Sequence, residues 1–388
     1  MERGGGSKQC SVSKKAAHAS PLTNPFSLIT SSSRGIVIGR RRGQAASLSM
    51  ASASHPIRSL LRNAGAFLLA LAAVCAGINA LLPSLNVVGI SDKLDVLRAS
   101  RGEIDTVFIG SSRVYHAFDP AIFDAEMKAR GREAHSFNFG IDGMRPPESF
   151  YVLREVLKLR LPLRNVFIEL SDFQSKVNAA NIGSARYVHW HDWRHTALVL
   201  RHIPGSWHTT AEKCEQWLVH AACFLARMSN IGRGPDLIGV KLSGPQKPRR
   251  IAMPWKDHAG YEPQTTPVFA GAARKNFETA VGLIEANGMA KTAVTPLLAG
   301  AWRDVLAEVR AAGAQPVLVI SPTLTARENL TGLAEAGIDA PVIAFTDPRR
   351  YPGVFRAENH CDVQHLNPGG AAEFTRAVAE EVVALPAK

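Results

Sequence analysis

The stretch that decides the fold is residues 104–120, IDTVFIGSSRVYHAFDP. A short run of β-branched and apolar residues, 106–109, stops at Gly110 and is followed by two serines and a polar segment. This pattern predicts a buried strand that ends at a glycine turn and presents Ser112 at its carboxyl end. In open α/β sheets, ligands bind at the carboxyl ends of the strands. Ser112 is therefore a candidate nucleophile.

Strand-like and helical patterns alternate along the rest of the chain. Further apolar runs that predict strands are residues 135–139, 165–170, 315–320 and 341–345. Helical spacing of apolar residues is found at 120–130, 147–159, 295–312 and 369–385. Alternating strands and helices predict an α/β protein with a parallel sheet covered on both faces. With five strands, we expect a three-layer α/β/α sandwich of the flavodoxin-like type.

Between residues 174 and 290 this alternation lapses, which predicts an insertion. We expect it to be part helical (209–228) and part loop, with a Gly/Pro/Lys-rich piece near 232–250, and to lie over the carboxyl ends of the strands. It holds the sequence HWHDWRH at 189–195. His191 and His195 are four apart and would share a helix face, as paired zinc ligands do, but no Glu lies between them and no third ligand is evident. A sugar-binding or packing surface suits these residues at least as well, so we predict no metal.

Basic residues are concentrated at the N-terminus of the 388-residue chain. Up to Arg62 there are ten Lys/Arg residues and one acidic residue, whereas the remainder has 35 basic and 32 acidic residues. The net charge therefore does not predict a nucleic-acid-binding core. Residues 1–57 lack sustained periodicity and predict a disordered basic extension. A transit peptide, or a true start at Met50, is the alternative.

Residues 64–82, AGAFLLALAAVCAGINALL, contain no charge and follow Arg58 and Arg62. About 20 apolar residues span a bilayer core, and preceding basic residues favour a cytoplasmic N-terminal side. We therefore predict a transmembrane signal-anchor at 58–84, with the bulk of the chain outside the cytoplasm. A cleaved signal peptide is the competing interpretation, because Ala80 is a small residue at a plausible cleavage site. Cys214 and Cys223 either bridge in such an oxidising compartment or remain two buried thiols.

A serine nucleophile needs a base, a group that orients the base, and donors for the developing oxyanion. His365 lies ahead of the last predicted helix and is the candidate base, with Asp362 three residues earlier to orient it. The candidate oxyanion donors are the backbone N–H groups of Ser112 and of Gly143, which follows the second strand. Asp172, or a neighbouring amide, follows the third strand and is a further candidate.

Taken in order, these motifs resemble those of the SGNH/GDSL hydrolase superfamily. GSS at 110–112 corresponds to the family's Gly-Asp-Ser, with Ser112 at the nucleophile. NFGIDG at 138–143 corresponds to the block whose last glycine contributes an oxyanion amide. DVQHLNP at 362–368 corresponds to the terminal block that carries Asp and His. The resemblance implies that residues 95–388 form one SGNH hydrolase-like domain, with the insertion at 174–290 unmatched.

The chain departs from the family pattern in two places. Ser111 replaces the usual Asp, and residues 169–172, ELSD, lack the family's Gly-x-Asn-Asp, so the usual oxyanion asparagine is missing. An ionised Asp172 carboxylate cannot donate a hydrogen bond and would repel an oxyanion.

Similar Gly-Ser-Ser variants occur in membrane-anchored bacterial members that resemble the alginate acetylation proteins and the D-alanine transfer protein of teichoic acid. The resemblance implies a serine esterase or O-acyltransferase, without a cofactor, that acts on a cell-envelope polysaccharide. It implies a single-pass protein of the bacterial inner membrane with its catalytic domain in the periplasm. Its partners would be an acylated glycan or acyl donor and possible envelope proteins, and not nucleic acid. The alternative is a catalytically inactive scaffold or glycan-binding protein in an envelope assembly.

Overall fold

The computed structural model describes residues 54–81, 86–100, 102–177, 184–230, 254–265 and 269–385. The chain divides into two units, Met1–Leu60 and Leu61–Lys388. The predicted extension lies outside the described residues except for its last four, as do Met50 and the Gly/Pro/Lys-rich piece of the insertion.

Five parallel strands form one sheet in the order β2-β1-β3-β4-β5. The strands are β1 Thr106–Gly110, β2 Ser136–Gly140, β3 Asn165–Glu169, β4 Gln315–Ile320 and β5 Val342–Ala344. Each falls within two residues of a predicted strand. The predicted α/β class with a parallel sheet is confirmed.

Helices connect the strands. The helices are α1 Ser54–Leu81, α2 Ile90–Ala99, α3 Ser112–Tyr115, α4 Pro120–Ala129, α5 Glu148–Lys158, α6 Ala185–His189, α7 Trp193–His202, α8 Thr210–Met228, α9 Gly271–Asn287, α10 Pro296–Ala311, α11 Gly332–Glu335 and α12 Pro368–Ala384. Short 3₁₀ turns are found at Ile203–Gly205, Pro254–His258, Ala326–Glu328 and Ala357–Asn359. Helices α6 to α9 belong to the insertion, whose predicted helix at 209–228 is realised as α8.

Both faces of the sheet are buried, which explains why its strands are continuous apolar runs. On one face, Val107 and Ile109 join a core formed with helices α2, α5 and α10. On the other face, Phe108 joins a core formed with α4 and α12. Alternate residues of β1 therefore face opposite layers, as the period of a strand requires. With apolar residues at every position, β1 is held between two helical layers.

The start of α12 is specified locally, and this fixes the loop that carries His365. Asn367 is the N-cap, its side chain accepts the Gly370 N–H at 3.0 Å, and Pro368 occupies the first turn. Proline suits the first turn because the missing N–H would have no partner there. His365 is thereby held two residues before the N-cap of α12.

Helix α1 contains a segment, Ile57–Ala80, that is 24 residues long and apolar enough to cross a membrane by length and composition. Most of this segment is exposed, and Cys75 near its carboxyl end is buried. A signal sequence near an N-terminus has the same properties. On α8, Cys214 is exposed, Cys223 is buried, and both are free thiols.

Candidate active site

Ser112, His365 and Asp362 lie in hydrogen-bonding contact at the carboxyl end of β1. The Ser112 Oγ is 2.9 Å from His365 Nε2, and His365 Nδ1 is 2.9 Å from an Asp362 carboxylate oxygen. These three residues were the candidate nucleophile, base and orienting group. With Nδ1–H donated to the carboxylate, Nε2 is left to accept the Ser112 proton.

The carboxylate of Asp362 serves both the turn and the imidazole. Its Oδ1 accepts the backbone N–H of Gln364 at 2.7 Å and of His365 at 2.9 Å. Burial raises the pKa of Asp362, but these backbone bonds and the bond from the His365 ring outweigh it, so the net pKa is lowered. The carboxylate is therefore ionised at neutral pH. Part of the His365 and Asp362 side chains, 21% and 47%, is exposed, so solvent reaches this end of the triad.

Ser112 owes its position to an abrupt change from strand to helix. It is the first residue of α3, directly after β1, and Ser111 caps the helix by accepting the Arg113 N–H at 3.3 Å. Gly110 is required at the turn, since a Cβ there would lie 2.4 Å from Val114 Cγ2. The side chain of Ser112 is thus presented beyond the end of the strand and is half-buried.

The predicted oxyanion residues have free backbone N–H groups, but the Asp172 side chain is not a donor. The backbone N–H groups of Ser112, Gly143 and Asp172 make no hydrogen bond to any described residue. Gly143 has a positive φ of 66° and open space where a Cβ would lie. The Asp172 side chain, in contrast, is ion-paired with Arg145. A carboxylate in such a pair accepts hydrogen bonds, so only the backbone of Asp172 is left as a donor.

Sequence reasoning did not predict a buried ionic network next to Ser112. Glu169, at the end of β3, accepts the Ser111 N–H at 2.6 Å and lies 3.1 Å from Arg113 Nε. Arg113 also pairs with Glu328, whose other carboxylate oxygen is 3.6 Å from Arg145. Burial lowers the pKa of Arg113, but these carboxylates outweigh it and raise the pKa. The one sequence indication was a glutamate at the end of an apolar strand.

A second histidine lies beside the first. His116 Nε2 is 3.1 Å from the Asp142 carboxylate, Nδ1 is 2.7 Å from the Glu262 carbonyl oxygen, and its ring centroid is 6.2 Å from that of His365. Burial lowers the pKa of His116, but both hydrogen bonds raise it, and the net change is upward. Two acceptors on one imidazole favour the charged form. His116 lies within residues 104–120, the stretch that decides the fold, but the sequence analysis assigned it no role in the candidate site.

Lys93 of α2 holds the end of β2. It is completely buried, and its Nζ donates to the carbonyl oxygens of Asn138 at 3.0 Å, Gly140 at 2.8 Å and Gly260 at 2.8 Å. Burial lowers its pKa well below the ordinary value. A single lysine in a helix gives no sequence indication of this role.

The histidines of the insertion do not point to one common site. His191 contacts His220 at 2.8 Å, whereas His195 contacts its own N-cap residue Asp192 at 2.7 Å. Because α7 begins at Trp193, His191 and His195 do not share one helix. Within the described ranges, no group of three His, Cys, Asp or Glu side chains is arranged to hold a metal ion.

An open cavity of about 770 Å³ adjoins the predicted oxyanion residues. Gly143, Arg145 and Asp172 line one side, and residues of the insertion, including Tyr187 and Trp207, line the other. The insertion therefore contributes directly to the space next to the candidate oxyanion donors.

Comparison of the chain with known protein families and with curated proteins found no match.

Proposed function

We propose that this protein is a membrane-tethered serine esterase or O-acyltransferase acting on an extracytoplasmic polysaccharide. The observation that carries the proposal is the contact of 2.9 Å between Ser112 Oγ and His365 Nε2, two residues 253 positions apart in sequence. The ionised Asp362 completes the arrangement required for nucleophilic acyl transfer.

The topology supports the finer fold prediction. The strand order 2-1-3-4-5 is that of flavodoxin-like sheets, in which ligands bind at the carboxyl ends of the strands. Ser112 follows β1 and Gly143 follows β2, the two strands at that end of the order. We infer a flavodoxin-like domain of the SGNH hydrolase type.

In the acylation step, Ser112 Oγ attacks the carbonyl carbon of the ester while His365 Nε2 takes the hydroxyl proton. A C–O bond forms, and the carbonyl electron pair moves onto oxygen. The free N–H groups of Ser112, Gly143 and Asp172 are the candidate donors to this oxyanion. Collapse of the tetrahedral intermediate breaks the bond to the leaving alcohol, which takes the proton from His365.

In the second step, water or a sugar hydroxyl attacks the acyl-serine. His365 takes the proton of the attacking group and returns it to Ser112 Oγ as the acyl group leaves. Hydrolysis gives an esterase and attack by a sugar gives a transferase. The polysaccharide assignment rests on the resemblance to envelope-modifying proteins and on the apolar segment Ile57–Ala80.

A fluorophosphonate probe tests the proposal directly, because it labels activated serines. We expect the wild-type chain to be labelled and Ser112→Ala and His365→Ala to lose labelling with their thermal unfolding unchanged. Ser136→Ala is the matched control, since Ser136 is a buried serine at the amino end of β2, the opposite end of the sheet from Ser112. Labelling that survives Ser112→Ala would remove the proposal.

One observation favours the scaffold alternative. Residues 169–172, ELSD, lack the family's oxyanion asparagine, and the Asp172 carboxylate is ion-paired with Arg145. A catalytically silent protein would bind acylated glycan without fluorophosphonate labelling or turnover. Binding measured by calorimetry together with absent labelling would favour this alternative over the enzyme.

A further inference from the structure

Helix α8 has one buried face and one exposed apolar face. Its inner face packs against the protein through Gln216, Val219, His220 and Cys223, all buried. The opposite face is exposed and carries Cys214, Trp217, Leu218, Ala222, Leu225 and Met228. A helix that packs one face against a soluble domain normally presents polar residues on the other. The outer face of α8 therefore indicates a contact outside the described chain.

The exposed residues are regularly arranged. Cys214, Leu218, Leu225 and Met228, with the half-buried Ala221 between Leu218 and Leu225, follow at intervals of four and three residues, which places them in one stripe about 21 Å long. Leu218 is 66% and Leu225 is 62% exposed.

Two tryptophans flank the stripe, and one charge lies at its edge. Trp217 lies on α8 itself, and Trp193, 75% exposed, contacts Phe224 with ring centroids 5.7 Å apart. The exposed residues between Cys214 and Ser229 include one charged residue, Glu215, near the amino end. We call the surface formed by Trp193, Trp217 and the stripe the α8 face.

The carboxyl end of α8 contacts the end of the apolar segment of α1. The Asn79 side chain donates to the Met228 carbonyl oxygen at 3.4 Å, and the Asn230 side chain donates to the Cys75 carbonyl oxygen at 3.1 Å. All four residues belong to the unit Leu61–Lys388. Cys75 and Asn79 lie in the last turns of the segment Ile57–Ala80.

The length of that segment sets the depth of this contact. Its 24 residues give a helix about 36 Å long, against a hydrocarbon core of about 30 Å. The last turns of the span then lie where the hydrocarbon meets the headgroups. Met228, bonded to Asn79, lies at the same depth.

We propose that the α8 face rests in the membrane interface, with phospholipid as its occupant, at the carboxyl end of the span. This inference rests on the anchor in the proposed function and not on the esterase activity. Tryptophan is favoured at this depth because its ring is apolar and its N–H is polar. Leucine and methionine side chains of the stripe enter the boundary between headgroups and acyl chains, as in interfacial helices. The domain is then held against the bilayer in one orientation.

Depth-dependent fluorescence quenching tests this on the full chain. Bimane is attached at Leu218→Cys or Leu225→Cys in a Cys10→Ser, Cys214→Ser background, and the protein is reconstituted in phosphatidylcholine–phosphatidylglycerol nanodiscs with doxyl lipids. Leu283→Cys on α9 is the matched control, since Leu283 is a similarly exposed leucine (59%). We expect quenching at residues 218 and 225 to exceed that at 283 by about twofold or more.

Each other outcome contradicts the inference in a distinct way. Equal quenching at all three positions, in a chain that resists carbonate extraction, overturns the inference alone. A chain that carbonate extracts from membranes has no span, which overturns the inference and the anchor together. Disulfide cross-linking between copies through residue 218, with no lipid quenching, would assign the α8 face to a second copy. None of these readouts depends on turnover, so they leave the catalytic proposal to the fluorophosphonate test.

Discussion

The Ser111 backbone N–H donates to the Glu169 carboxylate at 2.6 Å, and this bond joins the turn that carries Ser112 to the end of the neighbouring strand. Glu169 is buried, and its other carboxylate oxygen faces Arg113 Nε at 3.1 Å. Gly110 leaves the space that this approach needs, since a Cβ there would lie 2.7 Å from Glu169 Cβ. A buried ion pair on β3 therefore positions Ser112.

Two replacements of Glu169 distinguish the effect of its hydrogen bond to Ser111 from the effect of its negative charge. Glu169→Gln keeps an oxygen for the Ser111 N–H but removes the charge that faces Arg113, which retains Glu328. We expect the free energy of unfolding to fall by about 2 kcal/mol, as measured by urea unfolding. Glu169→Ala also removes the acceptor, so we expect it to slow fluorophosphonate labelling of Ser112 further than Glu169→Gln does.

The control is Asp95→Asn, which removes one member of an exposed ion pair with Arg98. An exposed pair contributes little, so the free energy of unfolding should change by less than about 0.5 kcal/mol. Equal labelling rates for Glu169→Ala and the wild type would show that this bond does not position Ser112.

The strands and the meeting of Ser112 with His365 could be anticipated because they depend on local patterns and on one topological rule. Apolar runs that end at glycine mark strands, and parallel strands place their carboxyl ends together. Glu169, Lys93 and Glu328 could not be anticipated in the same way. Each acts through a partner that is distant in sequence, and a charged residue next to an apolar run looks the same whether it is solvated or buried.

The insertion was the least predictable region for a related reason. Helix α9 was missed because it buries a single residue, Phe277, and so has a weak apolar stripe. The outer face of α8 makes the apolar pattern of that helix nearly continuous, so the pattern alone did not separate the packed face from the exposed one.

Alanine should destabilise the protein at two glycines near the site, but to different degrees and for different reasons. At Gly140, a Cβ would lie 2.3 Å from the backbone nitrogen of Tyr115, which cannot rotate away. We expect Gly140→Ala to lower the free energy of unfolding by about 3 kcal/mol. At Gly143 a Cβ meets open space but the φ of 66° is unfavourable for alanine, so we expect a loss of about 1 kcal/mol. Thermal unfolding measures both, and a larger loss for Gly143→Ala would contradict the packing at Tyr115.

Asp362 should affect the rate more than the fold. In Asp362→Asn, the amide oxygen can still accept the Gln364 and His365 N–H groups. The amide NH₂ group then faces the His365 ring, and because it is only a donor it cannot accept a hydrogen bond from Nδ1–H. Loss of the correct tautomer costs about 10⁴ in kcat in a triad protease. Because Asp362 is 47% exposed, we expect a smaller loss here, of about 10² to 10³.

The measurement is kcat for an aryl acetate, with circular dichroism to check the fold. Asp362→Ala also removes both turn bonds, so it should additionally lower the melting temperature. If Asp362→Asn retained full kcat, the His365 ring would not depend on Asp362 for its tautomer.

His189 should make the fold sensitive to acid. It is buried, its Nδ1 bonds to the Arg186 carbonyl oxygen, and its Nε2 has no partner among the described residues. Burial lowers its pKa to about 3. Below pH 6.5 the unfolded chain binds a proton that the folded chain does not, so stability falls as the pH falls from 6.5 towards 3. The slope from this residue is about 1.4 kcal/mol per pH unit.

Urea unfolding of wild type and His189→Gln between pH 7.5 and 4.5 tests this. Above pH 6.5 the difference in unfolding free energy between the two proteins should be constant. Below pH 6.5 it should shift in favour of His189→Gln, because glutamine does not titrate. His135→Gln is the control, since the His135 side chain is 64% exposed. A difference between wild type and His189→Gln that stays constant down to pH 4.5 would mean that His189 is protonated in the folded protein, and would remove it as a source of acid sensitivity.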